Sequence, residues 1–148
     1  QLTININGFY IKRRDFMWGK ELKFGETGNI KLLRLAKKDA GKWKRRVHEY
    51  WDIKGEVGEL KNPLIHYPHQ DLRTFIEHIN TFSSLHAKEN LKEQKRGGLV
   101  EIVFWPKIKF LQNYIFRLGF LDGTHGFVVA MLMSFHSFLA WSKQWLNG

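Results

Sequence analysis

The hydrophobic period of this chain changes at Asp71, and that change limits the folds open to it. Before Asp71 the apolar residues alternate or run in short groups: Leu2, Ile4 and Ile6, then Phe9 and Ile11, then Leu32-Leu33-Arg34-Leu35. Alternation is the pattern of strands with one buried face. After Asp71, Leu72, Phe75, Ile76, Ile79 and Phe82 recur at the spacing of one helical face. Strands first and helices afterwards predict an α+β fold.

In order, a strand is expected over 1–18, ending in Lys12-Arg13-Arg14 with a basic turn or edge after it. Residues 19–29 hold three glycines and read as loop. Short strands are expected over 30–35 and 43–49, with a turn at 37–41 between them. Gly55 and Gly58 break the stretch 53–64 into a bent hairpin ending at Pro63. Asp71 is placed to cap a first helix that continues through 87–95 and stops at Gly97-Gly98. A second helix is expected from about Trp105, with Pro106 in its first turn and a stripe of Ile108, Leu111, Ile115 and Leu118. Asp122-Gly123 reads as a turn, and Thr124 as the cap of a third helix reaching Trp145. Residues 1–69 and 70–148 thus form an extended, basic part and a helical part.

The formal charge of +10 favours an anionic partner, whether phosphate, nucleotide, nucleic acid or lipid. With no cysteine, disulfides and thiolate zinc sites are excluded. Walker A, GxGxxG, GxSxG and HExxH patterns are all missing. The near-apolar stretch 127–141 carries Ser134, His136 and Ser137 and falls short of the roughly 20 residues a membrane span needs. Gln1-Leu2-Thr3 reads like the middle of a sheet, so a fragment of a longer protein is expected.

The densest site-like stretch is 32–60, where a basic segment leads into Val47-His48-Glu49. A neutral imidazole can bind a divalent ion and a neighbouring carboxylate can orient it or act as a base. A strand histidine bonded to backbone satisfies the same spacing. Lys12, Arg13, Arg14, Arg34, Lys44, Arg45 and Arg46 could clamp a diphosphate or form a solvated basic face. Arg34 interrupts an apolar run and needs a specific anionic partner if buried. His66 and His69 lack a third ligand nearby and read as satisfied loop histidines. The last 50 residues hold 11 of the 22 Phe, Trp and Tyr residues, mixed with Lys107, Lys109, Arg117 and Lys143. That mixture suits a bilayer surface, and equally a buried helical hairpin.

Taken in order, Arg34-Leu35, a basic gap, Val47-His48-Glu49, Gly55 to Leu60 and His66-Tyr67 resemble the region after the catalytic centre of family 2 glycosyltransferases. The segment Leu118-Gly119-Phe120-Leu121-Asp122-Gly123, followed by Gly126-Phe127, resembles the C-terminal GFLDG segment of the lipopolysaccharide-core (WaaE-like) glucosyltransferases. The resemblance implies the C-terminal part of a GT-A α/β catalytic domain followed by helices. It also implies a nucleotide-sugar donor, a lipid-linked or glycan acceptor, a divalent metal (Mg or Mn) and inversion at the anomeric carbon. The implied metal ligand is His48. No Asp-x-Asp motif occurs in the chain, which fits a fragment lacking the donor-binding half and inactive alone. Where relatives carry a Pro-Asp pair this chain reads Gly25-Glu26-Thr27-Gly28-Asn29, so Glu26 is the first candidate base and Glu49 the second. Arg34, Lys12, Arg13 and Arg14 are the candidate diphosphate ligands.

The implied setting is the cytoplasmic face of the cell membrane, peripherally bound, with no nucleic-acid partner and with a homo-oligomer left open. Two other readings stand beside it: a basic, aromatic nucleic-acid-binding module, and a peripheral membrane scaffold without chemistry.

Overall fold

Trp18 and Gly19 both sit at positive φ, 51° and 78°, the two-residue turn whose twist matches that of paired strands. They close a hairpin between β1 (Ile6–Met17) and β2 (Lys20–Leu22), with Asp15 opposite Leu22 and Met17 opposite Lys20. Part of the glycine-rich stretch expected to be loop is therefore strand. The computed structural model describes residues 5–44 and 50–148 and is a mixed α+β fold, as the change of period predicts. The chain divides into two compact units, one of Gln1–Arg14 and Asn29–His66, the other of Asp15–Gly28 and Tyr67–Gly148.

The first unit is a sheet. β3 (Lys31–Ala36) runs antiparallel to β1, with Tyr10 opposite Leu33 and Lys12 opposite Lys31, and β6 (Glu56–His66) also pairs with β1. β4 (Gly41–Lys44) and β5 (Tyr50–Ile53) form a separate ribbon. The strand does not end at Lys12-Arg13-Arg14: β1 continues to Met17, with β3 paired to Lys12 and the Arg13 N–H donating to the Ile30 carbonyl. Nor is 53–64 a bent hairpin: the turn is at Gly55 (φ 95°), and β6 runs on through Gly58 and Pro63. β1 is the one strand partner of β6 among the described residues, so Pro63 can sit where no ladder bond is lost. Gly58 is needed for a different reason, since a Cβ there would press to 3.0 Å on the Phe9 ring.

The second unit holds the chain's fully buried large apolar side chains, among the described residues. Met17, Leu22, Phe75, Ile79 and Val129 form its core, with Trp18, Leu132, Met133 and Leu139 packed against them. Burying each such side chain is worth roughly 1.5–3 kcal/mol, so this unit carries most of the hydrophobic stabilisation. α1 (Leu72–Lys92) begins as expected: Asp71 accepts the Thr74 N–H at 2.8 Å. Its buried line departs from the apolar stripe, running Phe75, Ile79, Ser83, Ala87, Asn90, while Leu72, Ile76 and Phe82 are exposed. The reason lies on α3 (Thr124–Asn147), where Lys143 Nζ donates to the Asn80 carbonyl and to Ser83 and Ser84 hydroxyls at 2.6–2.8 Å. Small and polar residues on α1 are what that lysine requires.

α2 (Leu99–Leu111) starts six residues earlier than expected. Its N-cap is Gly98, whose N–H donates to the Glu101 carboxylate at 2.9 Å, so Pro106 lies inside the helix and not in its first turn. A π-helical turn (Gln112–Phe116) follows, and Leu118, at φ 57°, ends the helix. Thr124 is the first residue of α3; the cap is Gly123. α3 packs against both other helices. By length and composition alone this 24-residue helix is able to cross a membrane, because it extends beyond the 127–141 stretch at both ends.

Candidate functional site

The segment Gly119–Asp122 is a 3-10 turn that fastens the β2 end of the second unit to its helices. Asp122 is 3 % exposed, and its carboxylate accepts the backbone N–H groups of Lys23 and Phe24 at 3.0 and 2.9 Å. Lys20 Nζ donates to the Asp122 carbonyl at 2.7 Å. The glycines around it are steric necessities. A Cβ on Gly119 would stand 2.5 Å from the Asn113 carbonyl oxygen, and one on Gly126 would stand 1.9 Å from that of Gly119. Gly25, at φ 65°, then donates its N–H to the Arg117 carbonyl at 2.9 Å.

These contacts place the short turn Gly25–Thr27, and with it Glu26, against the C-terminal end of α2. Lys109 Nζ lies 3.0 Å from the Glu26 carboxylate and Arg117 lies 3.3 Å from it. Asn113 sits between, its Oδ1 accepting from Arg117 at 3.3 Å. Burial works to raise the Glu26 pKa, but the Lys109 charge and hydrogen bond, the Asn113 amide and the Arg117 charge outweigh it. The carboxyl is held below the ordinary glutamate value of 4.5 and is ionised at neutral pH.

His136 of α3 faces the same cluster. Burial, followed by the charges of His86 and Lys109, lowers its pKa to about 4 against the opposing pull of the Phe82 carbonyl and Glu26. It is therefore neutral near pH 7, and its ring stacks on His86 of α1 at 5.7 Å.

The other residues singled out by sequence fall elsewhere. His48 and Glu49, with Arg45 and Arg46, lie outside the described residues. The β1–β3 register puts Lys12 and Arg14 on one face of the sheet with Lys31, and Arg13 on the other, while Arg34 falls at the register shift between Leu33 and Leu35. Arg34 is exposed, so the condition of burial does not arise, and its guanidinium lies 4.9 Å over the Trp43 ring, itself stacked on Trp51. His69 is a packed loop histidine, stacked on Phe75 at 4.0 Å and 3.2 Å from His78. No group of three or more His, Asp or Glu side chains able to hold a metal occurs among the described residues. They supply no donor set for the divalent ion that the resemblance implies.

Sequence reasoning missed Lys109, Asn113 and Arg117 as partners of Glu26. Their spacing of four residues was the available signal, since it puts all three on one helical face. Sequence reasoning placed Asp122 in a turn and in the GFLDG segment but missed its bonds to Lys23 and Phe24. Some of the aromatic residues pack within the helical part and others are exposed. Phe110, Tyr114, Phe120 and Phe127 pack on one another, and Trp105 stacks on Trp141 across α2 and α3. Leu99, Val100, Phe104, Phe116 and Leu121 face outward.

Over 142 residues the chain is 29 % identical to the lipopolysaccharide core biosynthesis glycosyltransferase LpsC of Rhizobium meliloti, covering 93 % of this chain and 52 % of that protein. It is similar to glycosyltransferases. A second relative, an uncharacterized glycosyltransferase of Rickettsia felis, is 27 % identical over 96 residues, covering 62 % of this chain and 32 % of that protein. The chain thus spans about half the length of LpsC and a third of the Rickettsia protein. No family model matches the chain. No solved structure matches it either.

Proposed function

We propose that this chain is part of an inverting GT-A, family 2 glycosyltransferase that moves a sugar from a nucleotide-sugar donor to a lipid-linked or cell-surface glycan acceptor of the lipopolysaccharide-core kind. The observation that carries this reading is the similarity to LpsC, whose span includes both Glu26 and the Gly119–Asp122 turn that positions it.

The reaction needs a base for the acceptor hydroxyl and positive charge for the departing diphosphate. The hydroxyl oxygen attacks the anomeric carbon, its proton passes to the base, and the bond to the diphosphate breaks with its electron pair leaving on oxygen. Glu26 is the first candidate for the base: it is ionised, partly accessible and rigidly placed. Glu49 is the second. Lys12, Arg13, Arg14 and Arg34 are the candidates for the diphosphate. A divalent ion, Mg or Mn, would supply further positive charge to the leaving group, with His48 as its candidate ligand. The expected seat is peripheral, on the cytoplasmic face of the membrane, and the outward-facing apolar side chains of α2 and its neighbours suit contact with a bilayer surface.

The test is sugar transfer by the full-length protein, with a nucleotide-sugar panel and lipopolysaccharide-core acceptors, following acceptor mass and anomeric configuration. Transfer with inversion supports the proposal. Absence of transfer across the panel, or retention of configuration, contradicts it.

A further inference from the structure

Glu26 does not fill the cradle it lies in. Its contacts with Lys109 and Arg117, at 3.0–3.3 Å, are longer than the roughly 2.7–2.9 Å usual for charge-assisted bonds. Asn113 is 1 % exposed and its Nδ2 forms no hydrogen bond of ordinary length, although its amide faces the Glu26 carboxylate. Two cations face a single carboxylate, so among the described residues one positive charge is uncompensated. Donors also exceed acceptors, since an ammonium, a guanidinium and an amide offer more N–H groups than one carboxylate can accept.

We propose that Lys109, Arg117 and Asn113 form a phosphate-binding subsite in which the Glu26 carboxylate stands in the ligand's place. A phosphate monoester brings close to two negative charges and three acceptor oxygens, which would balance both cations and take up the free amide N–H. A carboxylate ligand would only exchange one such group for another. Arg117 supplies the planar fork suited to phosphate and Lys109 the point charge. Exposed Ile108, Ile115 and Phe116 adjoin these cations in sequence, so the phosphate could be carried on a lipid or arrive in solution.

The subsite gives chemistry to the acceptor side of the proposed transferase and rests on that reading only for its use. When phosphate takes Lys109 and Arg117, Glu26 loses the charges that hold its proton affinity down and becomes a better base.

The experiment is calorimetric titration of the whole protein with inorganic phosphate, paired with flotation on phosphatidylcholine vesicles with and without phosphatidic acid. Glu26→Gln removes the competing charge and should tighten phosphate binding by about tenfold, whereas Lys109→Gln and Arg117→Gln should each weaken it by about tenfold. Recruitment to phosphatidic acid vesicles that free phosphate does not displace assigns the site to a lipid headgroup. Displacement by phosphate at matched concentration assigns it to a soluble monoester. Phosphate and phosphatidic acid binding that is unchanged in Lys109→Gln and Arg117→Gln overturns the subsite. So does a folded Glu26→Gln protein that binds phosphate no tighter. Should Glu26→Gln fail to fold, the two cation variants decide alone. Binding is read without turnover, so failure to transfer sugar would overturn the transferase reading and leave this result standing.

Discussion

Asp122 accepts the backbone N–H of Phe24 at 2.9 Å from 98 residues away in sequence, and this bond fixes where Glu26 stands. A second bond, from the Lys23 N–H at 3.0 Å, makes the buried carboxylate a two-donor cap on the strand that leads into the Glu26 turn. Asp122→Ala leaves two donors and a cavity behind. Each unsatisfied donor costs about 1–3 kcal/mol, so a loss of about 2–6 kcal/mol is expected. Denaturant unfolding with unchanged slope checks it.

Gly126→Ala is expected to be worse than a helix-propensity scale suggests. The added methyl would meet the Gly119 carbonyl oxygen at 1.9 Å, and a backbone atom cannot swing aside as a side-chain tip can. Overpacking of this kind costs about 1–3 kcal/mol or more. Alanine would otherwise gain up to about 1 kcal/mol of helix propensity, so the measured sign decides between the two effects. Thermal unfolding should show a clear fall in midpoint.

His136 makes stability depend on pH. Its pKa falls from 6.5 to about 4 in the fold, so between those values the unfolded chain binds a proton that the folded chain does not. Stability is therefore greatest above pH 6.5 and declines as pH falls towards 4, by up to about 3 kcal/mol. Burial is the main cause of the shift; the charges of His86 and Lys109 add to it, and the Phe82 carbonyl and Glu26 oppose it. Denaturation of His136→Phe at pH values above 6.5 and close to 4 should show that part of the dependence gone.

The exposed rings of α2 and of the π-helical turn after it give a prediction about membranes. Phe104 is more than half exposed and Phe116 is 79 % exposed. Burying such rings in lipid is worth roughly 1.5–3 kcal/mol each at most. Phe104→Ser with Phe116→Ser should weaken binding to anionic vesicles by about tenfold or more, while leaving the far-UV dichroism unchanged. Vesicle sedimentation is the check.

What the sequence disclosed followed from periodicity. The α+β order, the Asp71 cap and the burial of Phe75 and Ile79 all come from patterns local to a few turns. The start of α2 was missed because its cap is a glycine answered by Glu101, a weak local signal, while Pro106 is a strong one that pointed to the wrong place. Pro63 misled in the same way, being read without knowing that β6 pairs with β1 alone among the described residues. The site was half legible: Glu26 and the Gly119–Gly126 residues were picked out, but through resemblance. Their connection was not, because it runs through bonds such as Asp122 to Phe24 and Lys109 to Glu26 that span about 80 to 100 residues. No local pattern encodes such bonds.

The most direct measurement is the rate of sugar transfer by the full-length protein carrying Glu26→Gln, with a nucleotide-sugar donor and a lipopolysaccharide-core acceptor. The account predicts a fall in kcat of about 10²–10⁴-fold, the usual contribution of a general base, with KM for the donor unchanged. A Glu26→Gln enzyme that turns over at the wild-type rate would contradict it.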